Sequence, residues 1–171
     1  MRFTIDQTFA GSVDRVEAAF VDPAFLEVLR GTPKLGRPTL VHRVESGDLV
    51  HQWVKYAFTG EVNSAVRRVV DPSRLTWVEE STLDRRTHRT TWRIVPDHYR
   101  NLLRCSGEFQ LHAVGANTTN RTTEAEIKVS VPLVGGKVEQ AIVSGLREHA
   151  SLEVDVVDRW LADSSGPDGN P

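Results

Sequence analysis

Val131-Pro132-Leu133-Val134-Gly135-Gly136-Lys137-Val138-Glu139 is the stretch whose reading decides the fold. Pro132 has no backbone N–H to give to a sheet and closes the strand before it. The paired glycines allow a sharp reversal, and from Gly136 to about Ala162 the pattern turns helical. At about 1.5 Å per residue this helix is roughly 40 Å long, enough to lie across a whole sheet. On a helical wheel Val138, Ile142, Leu146, His149, Glu153, Val156 and Trp160 share one face, expected to be the inner one. Gln140, Ser144, Arg147, Ser151, Asp155 and Asp158 take the opposite side. Val143, Ala150, Val154 and Leu161 form a second apolar stripe, fit to pack on other helices or on a second subunit.

His149 and Glu153 are polar residues inside the apolar stripe, one turn apart. A buried polar group without a partner costs about 1–3 kcal/mol. The pair is therefore expected to meet each other, the sheet, water or a ligand, unless the helix lifts away and leaves both in solvent. Gly145 removes a side chain from the edge of the same face. Both features fit a helix that borders a cavity.

Working outward, the strand before Pro132 is the cleanest in the chain. Over Thr118–Val131, Ala125, Ile127, Val129 and Val131 alternate with Glu124, Glu126, Lys128 and Ser130, one face dry and one wet. At the other end, Phe3, Ile5, Gln7 and Phe9 alternate with Thr4, Asp6 and Thr8, a half-buried strand start rather than a signal peptide. Ser12 and the Asp22-Pro23 pair then begin two short helices, carrying Val13, Val16 and Phe20, and Phe25, Leu26 and Leu29. Between these ends the chain reads as strands: Thr39–Glu45 and Asp48–Phe58 around Ser46-Gly47, Leu75–Ser81, Thr87–Val95 and a long Tyr99–Val114. Val62–Val70 fits either state. No repeat is present, and 163–171, rich in Ser, Gly, Pro and Asp, reads as a disordered tail after one domain over 1–162.

Composition excludes several classes. The chain has 171 residues, 39% hydrophobic and 26% charged, with a net charge of −2, so no general electrostatic case for nucleic acid exists. Its one cysteine, Cys105, excludes an internal disulfide. No apolar run approaches the roughly 20 residues of a membrane span, and the default expectation is a soluble cytoplasmic protein. Arg67-Arg68, Arg85-Arg86, Arg89 and Arg93 read as a solvated face balanced by Glu79, Glu80 and Asp84.

The order strand, two short helices, strands and long helix, together with Arg2-Phe3-Thr4-Ile5, Phe20-Val21-Asp22-Pro23 and the quoted stretch, resembles the START-like superfamily, also called Bet v 1-like, SRPBCC or polyketide cyclase/dehydrase-like. The quoted stretch looks most like a bacterial subfamily of unassigned function. The resemblance implies an α+β helix-grip fold, a curved antiparallel sheet of about six to seven strands wrapped on the long C-terminal helix. It also implies a pocket between sheet and helix for a small hydrophobic ligand such as a lipid or polyketide. The superfamily has no shared catalytic motif, so no catalytic residue carries over, and fold alone does not choose between carrier, cyclase-type enzyme and ligand-free interaction module.

Strand parity supplies the candidate lining. Leu40, His42 and Val44 share a face with Leu49, His51 and Trp53, the more apolar one, and are assigned inward; His88 falls on the inward face of its strand. His42 would then oppose His51, but two histidines without further ligands seldom hold a metal, and none is expected, nor any cofactor. Trp53, Trp77, Trp92 and Trp160 are either core or a ligand-stacking wall. Tyr99, Cys105, Phe109 and Leu111 take the inward parity of the long strand, Cys105 as a small buried hydrophobe. The ligand-binding candidates are His51, Trp53, Trp92, Tyr99, Cys105, Phe109, Ile142, Leu146, His149 and Glu153. In an enzyme, His149 oriented by Glu153 would be the acid or base. The assembly is expected to be a monomer or a homodimer.

Overall fold

The structure, a computed structural model, describes residues 1–29, 34–61, 64–68 and 70–164, with the side chains of 65 and 66 left aside. The expected tail falls almost wholly in 165–171, outside the described residues, as does part of the ambiguous stretch 62–70.

Strand β1 (Arg2–Phe9) is followed by helices α1 (Val13–Val21) and α2 (Pro23–Val28). Strands β2 (Thr39–Ser46) and β3 (Leu49–Ala57) form a hairpin whose turn holds Gly47 at φ 59°. A single helical turn α3 (Ser64–Arg67) and a 3-10 turn (Pro72–Arg74) lead to β4 (Thr76–Asp84), β5 (Arg89–Pro96), β6 (Leu103–Gly115) and β7 (Thr118–Val129). Helix α4 (Gly135–Asp163), 29 residues long, ends the described chain. The seven strands form one antiparallel sheet in the order β1-β7-β6-β5-β4-β3-β2, so β1 and β2, neighbours among the strands in sequence, lie at opposite edges. This is the helix-grip fold.

Local chemistry explains the boundaries. Asp22 caps α2 by accepting from the Ala24 N–H at 2.8 Å, with Pro23 at the first helical position. Ser12 stands at the N-cap of α1 but its hydroxyl makes no capping bond. Gly135, the first residue of α4, comes so close to the strand end that a Cβ would sit 2.4 Å from the Val129 carbonyl oxygen. The entry to α4 is therefore backbone against backbone. Gly107 is similar, its absent Cβ 2.5 Å from the Glu124 carbonyl oxygen, where β6 presses closely on β7.

Two clusters make most of the core, beside a smaller one of Val21, Val50 and Leu83. Phe9, Val16, Ala19, Phe25, Leu26, Val54, Leu111, Val157 and Leu161 join α1 and α2 to one end of the sheet and of α4. Phe3, Cys105, Ala125, Ile127, Val129 and Val143 fill the other end. The second stripe of α4 is used here: Val143, Ala150 and Leu161 are buried within the chain's own core. Gly135, Glu139, Val143, Ala150, Glu153, Val157 and Leu161 are the buried residues of α4, a face turned roughly 70° around the helix from the expected inner stripe. The reason is that α4 rests on β1, β7 and α1 rather than on the middle of the sheet. Its other flank, Val138, Ile142, Leu146, His149, Val156 and Trp160, stays only half-buried.

Candidate functional site

The concave face of the sheet follows from the register. Val50, Gln52 and Val54 of β3 pair with Leu83, Ser81 and Glu79 of β4; these pair with Thr90, Trp92 and Ile94 of β5. Phe109, Gly107 and Cys105 of β6 continue the rows, and Thr123, Ala125 and Ile127 of β7 complete them. Trp92, Cys105 and Phe109 thus lie on the face that looks toward α4, where Ile142, Leu146, His149 and Glu153 look back.

Three candidates lie elsewhere. His51 and Trp53 are on the convex face. The inward parity of β3 belongs to Val50, Gln52, Val54 and Tyr56, of which the first three are buried. The two faces of β3 are nearly equal in apolar content, so a count of hydrophobics points to the wrong one. An irregularity between Leu40 and His42 adds to this: Leu40 pairs with Val54 and His42 with Trp53, so Leu40 and His42 do not share a face. His42 and His51 are not opposite each other; both flank the Trp53 ring, at 5.3 and 6.4 Å between ring centres, and His51 Nδ1 meets the Thr82 hydroxyl at 3.0 Å. Among the described residues no group of three or more His, Cys, Asp or Glu could hold a metal ion. Tyr99 is not part of β6. It occupies the turn before that strand at φ 59°, and its hydroxyl accepts from the Asp71 N–H at 2.9 Å. His88 also precedes its strand, at φ 53°, with Nδ1 2.7 Å from the Glu17 carboxylate on α1.

The interior contains charge that parity alone does not reveal. Arg121 of β7 is buried and pairs with the Glu153 carboxylate. Gln7 of β1 ties the pair together: its Oε1 accepts from Arg121 Nε at 2.8 Å, and its Nε2 donates to Glu153 at 3.1 Å and to the Ala150 carbonyl at 2.7 Å. The guanidinium lies 4.5 Å from the Phe20 ring centre, 5.1 Å from Phe109 and 5.4 Å from Phe9. Rings on that side hold the cation by their negative faces and shut out water. Burial pushes the Glu153 carboxyl up, but Arg121, then His149, and the donated hydrogen bonds outweigh it and hold it below its ordinary value. Glu153 is therefore bound to Arg121 and Gln7, not to His149, and does not act as its orienter. Among the described residues His149 Nδ1 is buried without a hydrogen-bond partner.

Glu79, on the same concave face, is the residue sequence reasoning missed. The sequence presents it as a counter-charge to the arginines. Those pair on the outside instead, Arg85 with Glu45, Arg89 with Glu108 and Arg93 with Glu80. Burial, then the charge of Glu153, pushes the Glu79 carboxyl up to about 7, with Arg121 opposing. The signal available in sequence was the run Trp77-Val78-Glu79-Glu80, where strict alternation puts one of two adjacent glutamates inside. Tyr56 stacks on Trp77 at 5.8 Å, and its hydroxyl is raised well above its ordinary value by burial and then by Glu79 and Glu153. The Cys105 thiol is pushed up to about 12 by burial, then by Glu79, which leaves it an inert hydrophobe.

Tyr56, Trp77, Glu79, Trp92, Phe109, Ile142, Leu146 and His149 lie between sheet and helix, yet each keeps accessible surface. On the other flank of α4, a separate groove of about 470 Å³ runs along the free edge of β1 past Asp6, Thr8, Arg147, Ser151 and Asp155. Among the described residues no helix is long and apolar enough to cross a membrane.

A curved seven-stranded sheet gripping a long C-terminal helix, with polar groups held inside the grip, defines a protein of the START-like, Bet v 1-like fold. The chain belongs to the family described as protein of unknown function DUF2505, whose model matches residues 4–161. No curated protein matches it. Among solved structures it is similar to TTHA0849 from Thermus thermophilus, at 13% identity and TM-score 0.68, over 97% of this chain and 100% of that one. It is similar to the Zhui aromatase/cyclase from Streptomyces sp. R1128, at 15% identity and TM-score 0.65, over 100% and 99% of the two chains. A norcoclaurine synthase from Thalictrum flavum matches at 13% identity and TM-score 0.64, over 97% and 96%. At such identities these likenesses speak for the fold.

Proposed function

We propose that the protein binds a small, largely hydrophobic molecule in the space between the concave sheet and α4. One observation carries this reading: the flank of α4 that faces the sheet, with Ile142, Leu146 and His149, is only half-buried, and His149 Nδ1 has no partner. A helix that sealed the sheet would bury that flank and satisfy that nitrogen. The apolar and aromatic lining, with a few placed polar groups, is the usual make-up of a small-molecule site. The test is native mass spectrometry of protein purified from its own host. A co-purifying small molecule, displaced on substituting Leu146 by Trp to fill the space, is the expected result. A ligand-free protein whose interior Leu146→Trp fills without other effect rejects the reading.

A second reading is a cyclase-type enzyme. The names of two similar structures, an aromatase/cyclase and a norcoclaurine synthase, favour it, as does the Glu79 carboxyl, which at about 7 can give or take a proton near neutrality. In this reading Glu79 and His149 are the acid–base candidates. Turnover of the recovered molecule by the wild type and not by Glu79→Gln supports it; equal turnover removes Glu79 from that role.

A further inference from the structure

We infer that the ligand of this cavity carries a basic nitrogen on an aromatic or apolar body, and that Glu79 is the carboxylate that receives it. This rests on the cavity reading above and names the chemical class that the cavity selects.

The argument begins with position. Glu79 stands in the middle of the concave face, between Val54 and Ile94 on the neighbouring strands, with Trp77 and Ser81 before and after it on the same side of β4. No hydrogen bond reaches its carboxylate from any described residue, and its side chain keeps accessible surface. A carboxylate left without a donor on an apolar sheet face is costly, and in a folded protein such a group awaits a partner.

The groups facing it decide the charge of that partner. Tyr56 interacts with it from β3, Arg121 from β7, Cys105 from β6 and Glu153 from α4, with His149 beside Glu153 on that helix. Arg121 is the single fixed cation among them. It is already bound to Glu153 and Gln7 and enclosed by Phe9, Phe20 and Phe109, and none of its hydrogen bonds goes to Glu79. Glu153 is held ionised. Ionising Glu79 therefore gives the interior one more negative charge than positive, and the missing charge is a cation. An anionic or purely acceptor ligand would meet two carboxylates. An ammonium group would meet Glu79, with the Tyr56–Trp77 stack and Trp92 supplying aromatic faces around it. The raised carboxyl supports the same reading: an empty cavity keeps Glu79 partly protonated near neutrality, and a bound cation would drive the proton off.

The experiment uses three indole compounds of similar shape as probes: tryptamine, tryptophol and indole-3-propionate, titrated calorimetrically into the whole protein. At pH 8 tryptamine is expected to bind at least about tenfold tighter than tryptophol, and indole-3-propionate weakest of all. Tryptamine stays protonated over pH 6–8, so its affinity should rise about tenfold across that span as Glu79 ionises. At pH 6.5, titrations in buffers of different ionisation heat should show about three-quarters of a proton released per tryptamine bound. In Glu79→Gln, of the same shape, the tryptamine preference and the proton release should both vanish while tryptophol binding stays. Tryptophol binding as well as tryptamine in the wild type overturns the inference and leaves the cavity reading standing. A pH dependence that survives in Glu79→Gln places the titrating group at His149 and also overturns it. If none of the three binds, the inference falls, and the cavity reading stands or falls by the native mass spectrometry above.

Discussion

Glu79 and Glu153 carry the same side chain inside the same protein and are driven in opposite directions. Burial raises both carboxyls; Glu153 has Arg121, His149 and Gln7 against it, whereas Glu79 has Glu153 adding to the rise and Arg121 alone opposing. Their contributions to stability therefore have opposite sign in pH. Glu153, lowered, stabilises above its unfolded value and loses that contribution as pH falls. Glu79, raised to about 7, weakens the fold as pH rises from the unfolded value through about 7, because the unfolded chain releases that proton first. Glu79→Gln should accordingly gain about 1–3 kcal/mol at pH 8 and less than about 1 kcal/mol at pH 5, read from urea midpoints at the two pH values. Equal effects at both pH values would place Glu79 in solvent. Arg121→Met should lose about 3–5 kcal/mol at pH 8, since it strands the Glu153 charge. That loss should shrink at pH 5, where Glu153, freed of its cation, takes up a proton; a loss that grows on acidification would contradict the pairing.

At the scale of elements, the junction between β7 and α4 is governed by how closely two backbones approach. Gly135 has no room for a Cβ, while Gly136 and Gly145 have nothing within 4 Å of theirs. Three glycines in or at the start of one helix should therefore respond differently to alanine. Gly135→Ala should cost about 1–3 kcal/mol by forcing the helix start away from Val129. Gly145→Ala, in the helix interior, should gain about 0.5–1 kcal/mol from propensity alone. Thermal melts of the two variants settle this; stabilisation by Gly135→Ala would mean that the approach is looser than described. The paired glycines open α4 rather than make the reversal, which falls before them with Leu133 at φ 65°; which glycine is obligatory depends on the distance between two chain segments.

Across the whole molecule, stability is distributed unevenly. Helix α4 lies against β1 and β7, with α1 beside it, and β6 completes the packed side. Strand β2 is the far edge, exposed along most of its length. Amide hydrogen exchange should therefore show β2 opening about tenfold or more faster than β7. A bound ligand should slow exchange in β3–β5, whose concave face borders the space, and leave the outer edge of β1 unchanged. Protection of β2 equal to that of β7 would show a core that reaches both edges.

The sequence by itself determined the order of elements, the antiparallel sheet, the two short helices and the length of α4. These follow from periodicity, breakers and caps, which act between residues a few positions apart. It also placed Phe3, Gln7, Trp92, Cys105, Phe109 and Ile127 on their correct parity, because β1, β5, β6 and β7 alternate with strong contrast. The tertiary structure alone decided three things. The inward side of β3 is set by which face meets α1, where Val50 and Gln52 reach Val21, and its two faces differ too little in polarity to reveal it. The buried face of α4 is set by where on the sheet the helix lands, and a wheel with two apolar stripes fits two landings. The partner of Glu153 is Arg121, 32 residues away in sequence, rather than the nearer His149, because a guanidinium already enclosed by three rings is the stronger neighbour for a buried carboxylate. Each of these was decided by contacts between segments far apart in the chain, which no local pattern records.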